Sequence, residues 1–211
     1  HPAGSHAVVL HCGYGQHELV VLDVGSRTLV SRLAVPEAFY GVAFDASGER
    51  LICSGSSDEV VRQYRFAAGV LVPDGEVALR EKKERGIPAG VAISADGRRL
   101  YAANLWGQSV SVVSVAEASD GKPTVRELSL ARETAKPERI ASDDASAGEG
   151  DASPDDGASE RSLTKRADQL LEDTDPSLPF PYACVLDEPR GRLYVSLWSQ
   201  AAVAVIDLES W

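Results

Sequence analysis

The chain has 211 residues, 44% of them hydrophobic, and a formal net charge of −11. That is ample apolar content for one globular core and argues against a wholly disordered protein, while neither half offers the basic stripe that binding nucleic acid by charge requires. No apolar run approaches the roughly 18 residues that span a bilayer, and the opening His1-Pro-Ala-Gly-Ser-His6 lacks the basic-then-apolar layout of a signal peptide.

In chain order, Ala7–Cys12, Glu18–Val24 and Thr28–Val35 read as the second, third and fourth strands of an incomplete first unit. The next unit is complete: Tyr40–Phe44, Leu51–Ser54, Val60–Phe66, and a fourth strand near Val70 or at Glu76–Leu79. A third unit follows with Gly90–Ser94, Leu100–Ala103, Ser109–Val115 and Thr124–Leu130. Residues 131–178 break the pattern with Ala, Ser, Asp, Gly and Glu, a composition that cannot bury enough surface to offset the entropy of ordering. Within that stretch Leu163–Leu171 carries weak helical character. Tyr182–Leu186, Leu193–Ser196 and Val203–Leu208 then begin a last unit, and the chain stops at Trp211 before a fourth strand. Alternation of small or polar with branched apolar residues in Ser109–Val115 and Ala201–Asp207 supports the strand reading.

The units are copies of one another. Tyr40-Gly-Val-Ala-Phe-Asp-Ala-Ser-Gly-Glu-Arg-Leu-Ile-Cys-Ser54 matches Ala89-Gly-Val-Ala-Ile-Ser-Ala-Asp-Gly-Arg-Arg-Leu-Tyr-Ala-Ala103, and Tyr182-Ala-Cys-Val-Leu-Asp-Glu-Pro-Arg-Gly-Arg-Leu-Tyr-Val-Ser196 is a third copy. Leu51, Leu100 and Leu193 pin the register, with a weaker copy at Val9; the spacings are 42, 49 and 93 residues, the last enlarged by the insertion. A repeat of about 40 to 50 residues built from four strands is a propeller blade, which buries its two faces only by stacking on neighbours. The expected fold is therefore all-β: a β-propeller fragment of about 3.5 four-stranded blades, roughly 7–35 (partial), 38–80, 87–130 and 180–211 (partial), with 131–178 as an acidic disordered insertion. Closed propellers use about four to eight blades. Left open, the chain is an arc with apolar lateral surfaces exposed. No methionine occurs at any position, so the chain reads as a processed product or a piece of a longer protein.

Charge and cysteines fit this frame. Seven acidic residues lie within 141–160 without a single Lys or Arg, so the low isoelectric point belongs to the insertion more than to a binding face. Three cysteines make no disulfide framework. In the repeat register Cys12 and Cys53 fall on opposite faces of their sheets, which argues against a bridge between them, and Cys184 takes the place of Val42 and Val91 as a small buried hydrophobe.

The motif Ala95-Asp-Gly-Arg-Arg-Leu-Tyr-Ala-Ala-Asn104 followed by Ser109-Val-Ser-Val-Val113 resembles the repeat of YVTN-type, YncE-like propellers, as do Tyr194-Val-Ser-Leu-Trp198 and Val203-Ala-Val-Ile-Asp207. The blade at Leu51-Ile-Cys-Ser-Gly55 departs from that pattern, lacking its Tyr and Asn. The resemblance implies a seven-bladed wheel and a periplasmic or secreted location. Pro88-Ala-Gly-Val-Ala92, Pro181-Tyr-Ala183 and Gly55-Ser-Ser-Asp-Glu-Val-Val-Arg62 are similar to bacterial proteins in which such a propeller precedes a phosphoesterase domain of the alkaline phosphatase superfamily. The metal motifs and nucleophile of those phosphatases have no counterpart here.

Chemistry is sparse. His1, His6, His11 and His17 are spaced by five, five and six, which fits neither a helical metal pair nor a Cys/His finger. No phosphate-cradling loop or catalytic constellation is placed by the sequence, so no catalytic residue, metal or cofactor is assigned within the fragment. What remains is the loop face, where the resemblance gathers the second-to-third-strand loops and the blade-to-blade links around the channel. The candidate binding residues there are Tyr14, His17, Tyr40, Asp58, Asn104, Trp106, Gln108, Tyr182, Trp198 and Gln200. Exposed aromatics bury large area with few rotors, although packing between blades uses the same residues. The leading expectation is a non-catalytic binding and scaffolding module for a partner protein, polymer or small ligand, with the remaining blades of a parent propeller as further partners. The alternatives are the propeller part of an extracytoplasmic phosphoesterase whose C-terminal domain lies outside the chain, and a propeller lactonase, for which alanine replacement of His17 and Asp58 with a lactone hydrolysis assay is the test.

Overall fold

The computed structural model describes residues 1–115, 122–131 and 178–210. Except for its two end residues, the acidic stretch 131–178, with the helix expected over Leu163–Leu171, lies outside the described residues. Among the described residues fourteen strands form four antiparallel meanders. Blade 1 holds β1 (His6–His11), β2 (Glu18–Asp23) and β3 (Thr28–Ala34); blade 2 holds β4 (Val42–Phe44), β5 (Arg50–Ser54), β6 (Val60–Ala67) and β7 (Val70–Ala78). Blade 3 holds β8 (Pro88–Ile93), β9 (Arg99–Asn104), β10 (Ser109–Ser114) and β11 (Thr124–Ser129), and blade 4 holds β12 (Pro181–Asp187), β13 (Arg192–Leu197) and β14 (Ala202–Asp207). The chain is an open propeller fragment.

One difference from the sequence reading concerns β7. The sequence offers two candidates for the fourth strand of blade 2, one near Val70 and one at Glu76–Leu79. Instead the strand runs through: Tyr64 pairs with Pro73 and Gln63 with Gly75, so Asp74 is the extra residue of a bulge. An outermost strand tolerates a proline and a bulge because one of its edges carries no ladder.

The cores lie between blades. Leu19 and Val21 of blade 1 pack against Leu51, Cys53, Tyr64 and Phe66 of blade 2. Ile52, Val61 and Val77 of blade 2 meet Val91, Ile93, Leu100 and Val113 of blade 3. Tyr101, Val110 and Ala103 of blade 3 meet Cys184, Leu193, Val195 and Ile206 of blade 4. Since side chains alternate between faces, each strand contributes every second residue to the blade before it and the others to the blade after it. Burial of each large side chain contributes about 1.5–3 kcal/mol, so neighbouring blades stabilise one another.

This alternation corrects the cysteine argument. Cys12 and Cys53 do sit on opposite faces of their own sheets, but blade 1 and blade 2 meet through those opposite faces, and both thiols belong to one core. All three cysteines are free.

The innermost strands approach most closely at glycine. A Cβ on Gly41 would stand 2.1 Å from the Ala89 carbonyl oxygen, and one on Gly90 would stand 2.6 Å from the Tyr182 carbonyl oxygen and 2.7 Å from the Ala183 Cα. No L side chain fits there without moving the next blade's backbone. The turns at the other end of the blades are also tied together: Arg50 Nη1 donates to the Gly97 carbonyl at 3.1 Å, and the Ala95 amide donates to Glu188 Oε2 at 2.9 Å.

Candidate functional site

The links into blades 2 and 4 arrive at the channel mouth with aromatic residues, Phe39 and Tyr40 in one and Phe180 and Tyr182 in the other, whereas the link into blade 3 arrives with Ile87, Pro88 and Ala89. Tyr40 takes a left-handed backbone at φ 67° and Phe180 another at φ 40°, conformations that non-glycine residues hold only where surrounding structure fixes them. Tyr40 and Tyr182 occupy equivalent positions in blades 2 and 4, with the small Ala89 between them in blade 3. Their rings meet over it at 4.5 Å between centroids. Phe39 meets Tyr182 edge-on at 6.0 Å, and Tyr182 meets Trp198 at 6.0 Å. These separations lie in the favourable range for offset and edge-to-face aromatic pairs.

The rings border a cavity of about 710 Å³ lined by Phe39, Leu105, Tyr182, Leu197, Trp198 and Val203, with Ser196 as its hydroxyl. That hydroxyl is engaged by the backbone, accepting from the Ala183 amide at 2.9 Å. Tyr182 carries the lining's one ionisable group, and burial, with Tyr40 beside it, raises its pKa above the ordinary phenol value. The lining can therefore bury apolar or aromatic surface, with the phenol held as a neutral hydrogen-bonding tip. Trp106 stands outside this cavity, 62% exposed, with its ring edge-on to Phe180 at 5.7 Å. Tyr14 is fully exposed on the β1–β2 loop.

Other residues expected on the binding face are structural. Asn104 is fully buried. With its amide oriented by the hydrogen-bond network, Asn104 Oδ1 accepts from Arg80 Nη2 at 2.7 Å and from the Ser111 amide at 3.2 Å. Arg80 is the centre of that cluster: Nη1 donates to Glu59 Oε2 at 3.1 Å, and Nη2 donates to Ser111 Oγ at 3.1 Å and to Glu127 Oε1 at 3.0 Å. Glu59, fully buried, uses its other oxygen to accept from the Ile87 amide at 2.8 Å. This clamp joins blades 2 and 3, and sequence reasoning missed it because charged residues 21 positions apart carry no local signature of burial.

Asp58 likewise holds the link between β5 and β6. Its carboxylate accepts from Lys82 Nζ at 2.6 Å and from Arg62, and the Lys82 hydrogen bond is the main reason its pKa lies below the usual carboxylate value. His17 joins two loops: the Ala38 amide donates to Nδ1 at 3.0 Å, which leaves the proton on Nε2 to donate to the Gly13 carbonyl at 3.2 Å. His17 and Asp58, the residues whose replacement would test the lactonase alternative, are thus bound to different sets of partners. Gln108 adopts φ 51° in the β9–β10 turn, its carbonyl accepting from Leu130, and Gln200 lies half-buried in the equivalent β13–β14 turn. Among the described residues no group of three or more His, Cys, Asp and Glu is arranged to hold a metal, and no helix is long and apolar enough to cross a membrane.

Comparison with known proteins identifies the architecture. No protein-family model matches the sequence and no curated protein is similar to it. Solved structures do match. A functionally unknown protein from Desulfotomaculum acetoxidans superimposes with a TM-score of 0.58 at 15% identity, covering 97% of this chain and 52% of the other. The β-propeller domain of Cps50 (Swd1) from Myceliophteria thermophila gives 0.57 at 14%, covering 99% and 52%. A Bacteroides uniformis protein provisionally named a 6-phosphogluconolactonase gives 0.58 at 10%, covering 97% and 47%. The chain spans about half the length of these relatives, and at such identities the likeness concerns the propeller fold alone.

Proposed function

We propose that this chain is a non-catalytic binding and scaffolding module that receives an apolar or ring-bearing group of a partner at the channel mouth. One observation carries the reading: Tyr182 gathers Phe39, Tyr40 and Trp198 about its ring, with centroids 4.5–6.0 Å from its own, beside a cavity whose lining is mostly apolar. Rigid aromatic surface bordered by hydrogen-bonding tips buries much area at little rotamer cost. Asp58, Asn104 and His17 contribute by holding the loops in place.

Titration with the apolar reporter anilinonaphthalene sulfonate tests the site. Tyr182→Ala is expected to weaken dye binding about tenfold, the effect of removing one buried aromatic contact of about 1.4 kcal/mol. Tyr14→Ala and Val205→Glu are expected to leave it intact. Loss on Val205→Glu with retention on Tyr182→Ala would move the binding surface away from the mouth and refute the proposal.

A further inference from the structure

At the end of the blades away from the channel mouth, the junction of blades 3 and 4 holds a second cavity, of about 480 Å³. Its two walls differ in charge. Blade 3 supplies Arg98 and Arg99, with the buried Tyr101 beside them, and blade 4 supplies Glu188 and Glu209 without a basic group. Asp96 also lies on the blade 3 wall, but its carboxylate is engaged there. It accepts from Ser94 Oγ at 2.6 Å and from the Arg98 amide at 2.9 Å, and stands 3.9 Å from Arg98 Nε. Across the cavity the charges do not meet: among the described residues no nitrogen of Arg98 or Arg99 comes within 4.0 Å of Glu188 or Glu209. The outer strand of blade 3, β11, takes no part in the lining, so the first three strands of each blade suffice to form it.

The repeat explains why this junction stands open. Arg50 and Arg99 are equivalent, each preceding the leucine that opens the second strand. Arg50 spans the junction of blades 2 and 3 directly, donating to the Gly97 carbonyl at 3.1 Å. Arg99 finds no such acceptor on blade 4 among the described residues. The turns have equal length, yet their shapes differ: the left-handed glycine is Gly48 in blade 2 and Gly97 in blade 3, whereas in blade 4 it comes one place later, at Gly191, behind a turn of 3-10 helix at Glu188–Arg190. Arg99 is left beside the Tyr101 hydroxyl, where its charge works against the burial that raises the phenol pKa.

We propose that this cavity binds a small zwitterion, an α-amino acid, with its carboxylate on Arg99 and the Tyr101 hydroxyl and its ammonium group on Glu209 and Glu188. A guanidinium holds a carboxylate through paired, charge-assisted hydrogen bonds. A ligand carrying both signs completes both walls at once, and the cavity volume lies within the range of about 300–1,000 Å³ of small-molecule sites. None of these residues lines the aromatic cavity, so this site stands independently of the binding reading above.

Isothermal titration with the free L-amino acids tests the site. At least one is expected to bind, and its N-acetyl and carboxamide derivatives, each lacking one charge, should bind at least about tenfold more weakly, the effect of losing a hydrogen bond to a charged group. Arg99→Ala and Glu209→Gln should each weaken the free amino acid to a similar extent with circular dichroism unchanged, since both side chains are exposed. In Arg99→Ala the amino acid and its carboxamide should bind alike, which a merely structural role of Arg99 does not produce. Absence of binding by every amino acid overturns the proposal, as does binding that survives both substitutions. An N-acetyl derivative that binds as tightly as the free amino acid would reduce the cavity to a simple anion site and overturn the zwitterion.

Discussion

Blade 3 and blade 4 present the same face to opposite circumstances. Tyr101 and Tyr194 stand at the same place in the same register, yet Tyr101 lies under blade 4 within an inter-blade core and Tyr194 is part-exposed on the open end. Gly90 and Ala183 are equivalent too, one pinned by a neighbouring backbone and the other with no further blade over it among the described residues. The tyrosine is thus set by the repeat, being kept whether covered or exposed, whereas the glycine answers to the neighbouring backbone, and the comparison separates the two requirements.

The largest expected contrast is in stability. Tyr101→Ala should cost about 3–5 kcal/mol, the range for emptying a large aromatic site in a core, whereas Tyr194→Ala, at a part-exposed site, should cost about 1 kcal/mol. Urea denaturation of the two variants measures the difference, and equal losses would break the comparison.

Backbone spacing provides the next test. Gly90→Ala should cost about 2–3 kcal/mol, because the new methyl has only the backbone of Tyr182 and Ala183 to displace. Ala183→Gly should cost about 0.5–1 kcal/mol, the ordinary entropic effect of a glycine in a strand. Thermal unfolding of both variants checks the order, and an inversion would mean that the inner strands can separate freely.

The smallest effect is chemical and concerns neighbouring residues. Cys184 faces blade 3, and burial pushes its thiol up to about 12 from an ordinary value of 9.0. Deprotonation that burial opposes leaves its folded form stabilised below the ordinary thiol range and weakened as pH rises toward 12. Val185 points the other way. In dilute native protein at pH 8, a Val185→Cys thiol should react with a disulfide reagent about a hundredfold faster or more than Cys184. Comparable rates would show that blade 4 rocks off blade 3.

The fold was legible because it is repeated: Leu51, Leu100 and Leu193 fix the strand register without reference to any contact, and each opens a buried second strand. The site was legible only as a set of letters. Nothing local reveals that Tyr40 meets Tyr182, because they lie 142 positions apart and the meeting depends on the small Ala89 in the blade between. Asn104 and Asp58 were misplaced on the binding face for the converse reason. Polar residues on loops read as solvent contacts, while Arg80 and Lys82, the partners that draw them into the framework, come from a separate link in the sequence. Cys12 and Cys53 are free as expected, but for a different reason, since parity within a sheet says nothing until the stacking of sheets is known.

In a simple repeat array each unit senses only the unit beside it, and stability is a sum of nearest-neighbour terms. The contact of Tyr40 with Tyr182 reaches past blade 3 and couples blade 2 directly to blade 4. Loosening of blade 4 is therefore felt at blade 2 directly as well as through blade 3, by about the 0.5–1.5 kcal/mol that an aromatic pair contributes.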